Sequence, residues 1–189
     1  MKLADLLPKG LLKDDQDAIS LLEADHDKVL ALFEHFEDIK DSHAEKEKQT
    51  IVADACRELT IHMTLEEEVF YPAVRGPLDD ADLMNEAQVE HDGAKSLIQD
   101  LEGMDAGDEM FNAKFIVLSE YIKHHIKEER QEMFPKVRDT DVDLKALGAK
   151  MLARKEQLMK GNGSTTGRAK PPFKRKARSG AGPKRASAQ

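Results

Sequence analysis

Residues 62–75 read HMTLEEEVFYPAVR, and residues 125–138 read HIKEERQEMFPKVR. Laid over one another, the two stretches share His62 with His125, Glu66 with Glu129, and an aromatic at Tyr71 and Phe134. Pro72 with Pro135, Val74 with Val137 and Arg75 with Arg138 complete the match. A His and a Glu four residues apart lie one helical turn from each other on the same face. Each pair can therefore reach a single centre. His26-Asp27 and His91-Asp92 repeat in the same way, each with a Leu six residues on, at Leu32 and Leu97. The chain thus contains two related hairpins, each offering one His and then one His-x-x-x-Glu. Such internal symmetry suits a site with two similar metals.

Working outward, apolar residues recur at helical spacing along nearly the whole body. One stripe is Ile19, Leu22, His26, Val29/Leu30, Phe33, and a second is Ile51, Ala55, Leu59, His62, Glu66, Val69/Phe70. The third is Leu83/Met84, Ala87, His91, Ala94, Leu97/Ile98, Leu101. The fourth is Phe111, Phe115, Leu118, Ile122, His125, Glu129, Met133. Breakers sit at Asp41-Ser42, Gly76-Pro77, Gly103 and Gly107. Ser20-x-x-Glu23 offers a capping box, and Asp79-Asp80 a helix start. No stretch alternates like a strand. The pattern predicts an all-α fold, an antiparallel up-down-up-down four-helix bundle, with a short fifth helix over Asp141–Met159 and a disordered basic C-terminal tail. The expected organisation is an N-terminal arm at 1–14, a helical domain at 15–140, a C-terminal helix at 141–160 and the tail at 161–189.

Six polar residues interrupt the four apolar stripes: His26, His62, Glu66, His91, His125 and Glu129. A lone core histidine is ordinarily a hydrogen-bonded structural residue. Carboxylates differ, because a buried ionised Glu without a partner costs several kcal/mol. Two of them beside four imidazoles, with no Lys or Arg on the same stripes, need a shared cation. A metal supplies it.

Composition removes competing classes. The 189 residues include one cysteine, Cys56, which excludes an intrachain disulfide framework and any Cys-rich zinc or iron–sulfur site. No apolar run is long enough to span a bilayer, and the first residues lack a secretory stretch, so no membrane partner and a cytoplasmic location are expected. The net charge of −8 hides an asymmetry. From Gln157 to Gln189 there are nine Lys/Arg and no acid, while the other 20 basic residues face all 37 acids, leaving −17 on the body. Lys170–Arg185 could touch nucleic acid or an acidic partner; a solubilising tail is the plainer reading. Oligomeric state is not legible.

These residues resemble the haemerythrin-like HHE cation-binding domain over roughly 15–140, including an H-x-x-x-E-E…F/Y-P signature at His62–Pro72. The resemblance implies a four-helix bundle holding two non-haem iron ions, oxo- or hydroxo-bridged. His26, His62, His91 and His125 would be terminal ligands, and Glu66 and Glu129 bridges. Oxygen-carrying members have a fifth His where this chain has Ala87. With about six positions per metal, that departure leaves roughly two open, one on each. Such a centre suits binding or reducing a small oxidant (O2, peroxide or NO). Turnover as a catalase- or peroxidase-like oxidoreductase in oxidative stress, sensing of oxygen, iron or redox state, and iron storage all stay open. Storage is the weakest, since ferritin-like centres use Glu-x-x-His spacing. Glu23 is a candidate for one open position. Tyr121, Glu58 and Glu67 could support the ligands, though packing or a solvated surface is the plainer reading of each. His35 and His43 are expected to stay out, and His124 is a flanking residue unless His124/Glu128 replaces the chosen pair.

Overall fold

The computed structural model describes residues 17–162. The expected arm at 1–14 and nearly all of the expected tail lie outside the described residues.

Helix α1 spans Ala18–Ile39, α2 Glu45–Leu65, α3 Tyr71–Leu78, α4 Ala81–Glu102, α5 Phe111–Glu128, α6 Phe134–Arg138 and α7 Leu144–Asn162. A π-helical turn at Glu66–Phe70 joins α2 to α3, and another at Glu129–Met133 joins α5 to α6. The result is five rods. Four of them, α1, α2–α3, α4 and α5–α6, form the antiparallel bundle, and α7 packs across α1, α2 and the first π turn.

Each rod starts and stops for local reasons. Asp17 caps α1 by accepting from the Ser20 backbone N–H at 2.8 Å, so Ser20-x-x-Glu23 is not the cap. Buried Lys48 donates to the carbonyl oxygens of Lys40 and Ser42, satisfying the end of α1. The Gly76-Pro77 break expected from sequence does not materialise. The helix runs on to Leu78 and turns at Asp79, whose φ of 50° is left-handed, a conformation Asp tolerates better than most residues. Asp80 then caps α4 through the Leu83 N–H, as its position predicts. α7 begins three residues later than expected and ends at Asn162, so the boundary drawn at 161 falls inside a helix.

The π turns matter most. From His62 to Val74 is twelve residues, over which an α-helix turns about 120° past three full turns. One extra residue in the turn absorbs most of that drift, so His62, Glu66, Phe70 and Val74 all stay buried on one side. The same device serves His125, Glu129, Met133 and Val137. The two arginines of the repeat fasten the ends: Arg138 to Asp17 at 3.2 Å, and Arg75 to Asn85 at 3.3 Å.

The core is split into two apolar clusters. One, around Phe33, Phe36, Phe111 and Phe115, includes Cys56, whose thiol burial pushes up to about 12. The other gathers Ile19, Phe70, Met84, Phe134 and Met151. Between them lies a polar layer.

Candidate metal centre

All six residues singled out in the sequence fall in that layer, and all six are buried. His26 comes from α1, His62 from the end of α2, His91 from α4 and His125 from the end of α5. Glu66 and Glu129 each open a π turn. The imidazoles pair: His26 Nε2 is 3.1 Å from His62 Nε2, and His91 Nε2 is 3.1 Å from His125 Nε2. Each carboxylate lies between the pairs. Glu66 Oε2 is 3.2 Å from His62 Nε2 and 3.3 Å from His91 Nε2. Glu129 Oε2 is 3.1 Å from His26 Nε2 and 3.5 Å from His125 Nε2. Among the described residues, donor atoms close enough to share an ion come in two buried groups, His26/His62/Glu66/Glu129 and Glu66/His91/His125.

The fit to metal can be tested on hydrogen bonding alone. Among the described residues, both oxygens of Glu66 and Oε2 of Glu129 are buried without a hydrogen-bond partner. Groups left so are costly unless something positive satisfies them. His91 Nδ1 donates to Glu67 Oε1 at 2.9 Å, and His125 Nδ1 to Glu90 Oε2 at 2.8 Å. In the neutral ring the proton is then on Nδ1, and each Nε2 presents a lone pair. Two lone pairs face each other across 3.1 Å. The donor set fits a metal cation, imidazole nitrogen and carboxylate oxygen being the ligand types that iron, manganese or zinc accept.

The charges of the metal-free chain carry the same strain. Burial, then the charge of Glu129, raises the Glu66 carboxyl well above its ordinary value. Burial opposes ionisation of Glu129 as well, but His125 and His26 outweigh it and hold that carboxyl low. Burial drops His26 to about 4, and burial with the neighbouring His125 drops His91 to about 4. For His125 burial is overcome by Glu129 and Glu90, and its pKa rises.

Around the six stand groups that the sequence reading missed. Tyr71 donates to Glu129 Oε1 at 3.1 Å, and burial, then Glu129, raises its phenol pKa well above the usual value. Asp25 is buried 3.8 Å from His62 Nδ1 and pairs with Lys155 of α7. Glu90 orients His125, and Arg130 reaches His26 Nδ1 at 3.3 Å. Asp25 adjoins a ligand in sequence, and Arg130 follows Glu129, but an exposed-looking charge carries no mark of its partner. Glu67, read as a candidate, does hold His91, and Lys95 holds Glu67 at 2.5 Å.

The remaining candidates do not join the six. Glu23 offers Arg130 its main-chain carbonyl, and its side chain is absent from the donor groups. Tyr121 is half exposed and covers Gly93. Glu58 pairs with Lys28 at 2.8 Å instead of facing a ligand. His35 and His43 are exposed, and Ala87 packs in the second apolar cluster. His124 is exposed beside Glu128 and Glu90, where the three form an exterior group of potential ligands.

A four-helix bundle with two His pairs and two carboxylates facing inward defines a cation-binding bundle of the haemerythrin kind. The sequence matches the Hemerythrin HHE cation binding domain over residues 17–137, and the chain belongs to that family. A crystal structure of a Hemerythrin HHE cation binding domain-containing protein from Mycobacterium kansasii superposes with a TM-score of 0.66. It is 24% identical and covers 81% of this chain and 95% of the other, a likeness of fold. A curated relative, a DNA nickase from a Nostoc species, is 25% identical over 131 residues. That match takes in 69% of this chain and 36% of the relative, so the chain spans about a third of the relative's length. Among the described residues no helix is long and apolar enough to cross a membrane.

Proposed function

We propose that the chain holds two iron ions between His26/His62 and His91/His125, bridged by Glu66 and Glu129, and uses them to bind or reduce a small oxidant. The observation that carries this is the pair of buried carboxylates with unpartnered oxygens lying between two imidazole pairs. Ferrous ions held by these residues would supply a two-electron reductant for O2 or peroxide, or binding positions for NO.

The chain's own residues do the rest. Glu67 and Glu90 fix the tautomer and aim of His91 and His125. Tyr71 Oη donates its proton in a hydrogen bond to Glu129 Oε1 and so holds a proton inside the layer, where a reduced oxidant needs one. Val29, Leu59, Met63, Ile122 and Ile126 line a cavity against His26, His62 and His125, and keep bulk water away. Its volume is about 10 Å3, about room for one water-sized guest. With a fifth family His replaced by Ala87, the protein offers fewer ligands than an oxygen carrier would. Handling of such oxidants in the cytoplasm, under oxidative stress, is part of this proposal.

Hydrogen peroxide added to iron-loaded protein tests the reading. Steady oxygen evolution supports turnover, a stable reversible adduct supports carriage or sensing, and no reaction and no adduct with peroxide, O2 or NO rejects an oxidant-handling centre. A second reading adds nucleic-acid contact through Lys170–Arg185, favoured by seven basic residues without an acid in that stretch and by the relative's description as a DNA nickase. Truncation after Lys160 that leaves low-salt DNA affinity unchanged would end it.

A further inference from the structure

We propose that the two metal positions are unequal and fill in order, His91/His125 first, because Arg130 holds the His26/His62 position back. This rests on the dinuclear reading above. The observation behind it is a break in the internal symmetry. Glu67 and Arg130 occupy equivalent places, each directly after a bridging carboxylate, and each crosses to the single His of the other hairpin. One is an anion and the other a cation.

The consequence follows from donors and acceptors. Glu67 can only accept, so His91 keeps its proton on Nδ1 and offers Nε2 to a metal. His125 does the same against Glu90. Arg130 can only donate, so His26 Nδ1 must be the acceptor and the proton of the neutral ring is on Nε2, the atom that should bind metal. That proton points at His62 Nε2, 3.1 Å away, filling the gap a cation would fill. To bind a metal there, His26 moves its proton from Nε2 to Nδ1, where it meets the Arg130 N–H, donor against donor. Arg130 must then leave, yet it is anchored to the Glu23 carbonyl at 3.0 Å and to Asp27 at 2.6 Å. His62 is also less supported, since Asp25 stands 3.8 Å from its Nδ1 and is engaged by Lys155. Counting ligands alone predicts the opposite order, because the His26/His62 position gathers four donor residues and the other three. The outer groups decide.

Outer partners of ligating histidines change metal affinity by about 10- to 100-fold. The test titrates the full chain, stripped by chelator, with Zn2+ against a chromophoric competitor while following the histidine ring nitrogens by NMR. The first equivalent should shift His91 and His125, and the second His26 and His62, with the second step about 10-fold weaker or more. Arg130→Gln should tighten the second step and leave the first; Glu67→Gln should weaken the first. Both side chains are half-buried, and helical content serves as the folding control. A first equivalent at His26 and His62, or two steps unmoved by Arg130→Gln, overturns the ordering and leaves the dinuclear centre standing. Uptake of fewer than two ions by the wild-type chain sinks the dinuclear reading, and the ordering falls with it.

Discussion

Replacing Glu66 by Gln should stabilise the metal-free protein and cripple its response to metal. Glu66 is fully buried, both its oxygens lack partners, and Glu129 crowds it. A buried polar group left unsatisfied costs about 1–3 kcal/mol. The amide of Gln has the same shape, carries no charge and can donate to Glu129 Oε2. For a chain of this size each kcal/mol moves Tm by about 2–4 °C, so the metal-free variant should melt about 2–12 °C higher than wild type. Metal reverses the ranking. Two ions at about 100 times their Kd add roughly 5 kcal/mol to wild type, about 10–20 °C. The variant, having lost a shared anionic ligand, should gain less than half of that. Circular dichroism melts with chelator and with excess Zn2+, at neutral pH, give both numbers. A variant less stable than wild type without metal, or one that gains as much with it, would refute the claim that Glu66 is kept for a cation.

The Glu66→Gln background also exposes the histidines. His26 and His91 lie at about 4 in the fold against 6.5 ordinarily, so their contribution is complete above pH 6.5 and is lost as pH falls toward 4. Each shift corresponds to about 3 kcal/mol, and Tm of the metal-free variant should drop steadily across that window; a flat profile contradicts it. Tyr71→Phe removes the donor to Glu129 Oε1 but keeps the packing, since Phe134 stands at the equivalent place. It should cost about 1–3 kcal/mol without metal and leave two ions bound, as melts and metal analysis would report. Gly93→Ala sets a Cβ 3.3 Å from Cε2 of the half-exposed Tyr121 ring, which can give way. Helix propensity should then raise Tm by about 1–4 °C, and a fall would show that ring to be fixed.

The bundle and its inner six residues were legible in the sequence because both follow from periodicity. Burial on a helix repeats with the turn, and His or Glu on a buried stripe stands out against Leu and Phe. The π turns were not legible. Nothing in Glu66–Phe70 or Glu129–Met133 announces a fifth residue in the turn, and the stripe written as ending in Val69/Phe70 is in fact carried by Phe70 and Tyr71. Tyr71 reaches the centre for that reason. The outer residues were hidden differently. Glu67, Glu90 and Arg130 are half-buried; Glu90 and Arg130 look like ordinary surface charge, Glu67 stands out only by adjoining a ligand pair, and only the neighbouring helix reveals what each one touches. Asp25 hides behind α7, whose Lys155 neutralises it. The capping residue of α1 was misplaced because Asp17 and Ser20 are both good caps, and the packing chose between them.

Metal content after anaerobic loading with Fe2+ tests the centre most directly. Wild type should hold two irons per chain, His62→Ala and Glu129→Ala should each hold fewer, and His35→Ala, an exposed histidine paired with Glu47, should hold two. Full iron content in both His62→Ala and Glu129→Ala would contradict the assignment.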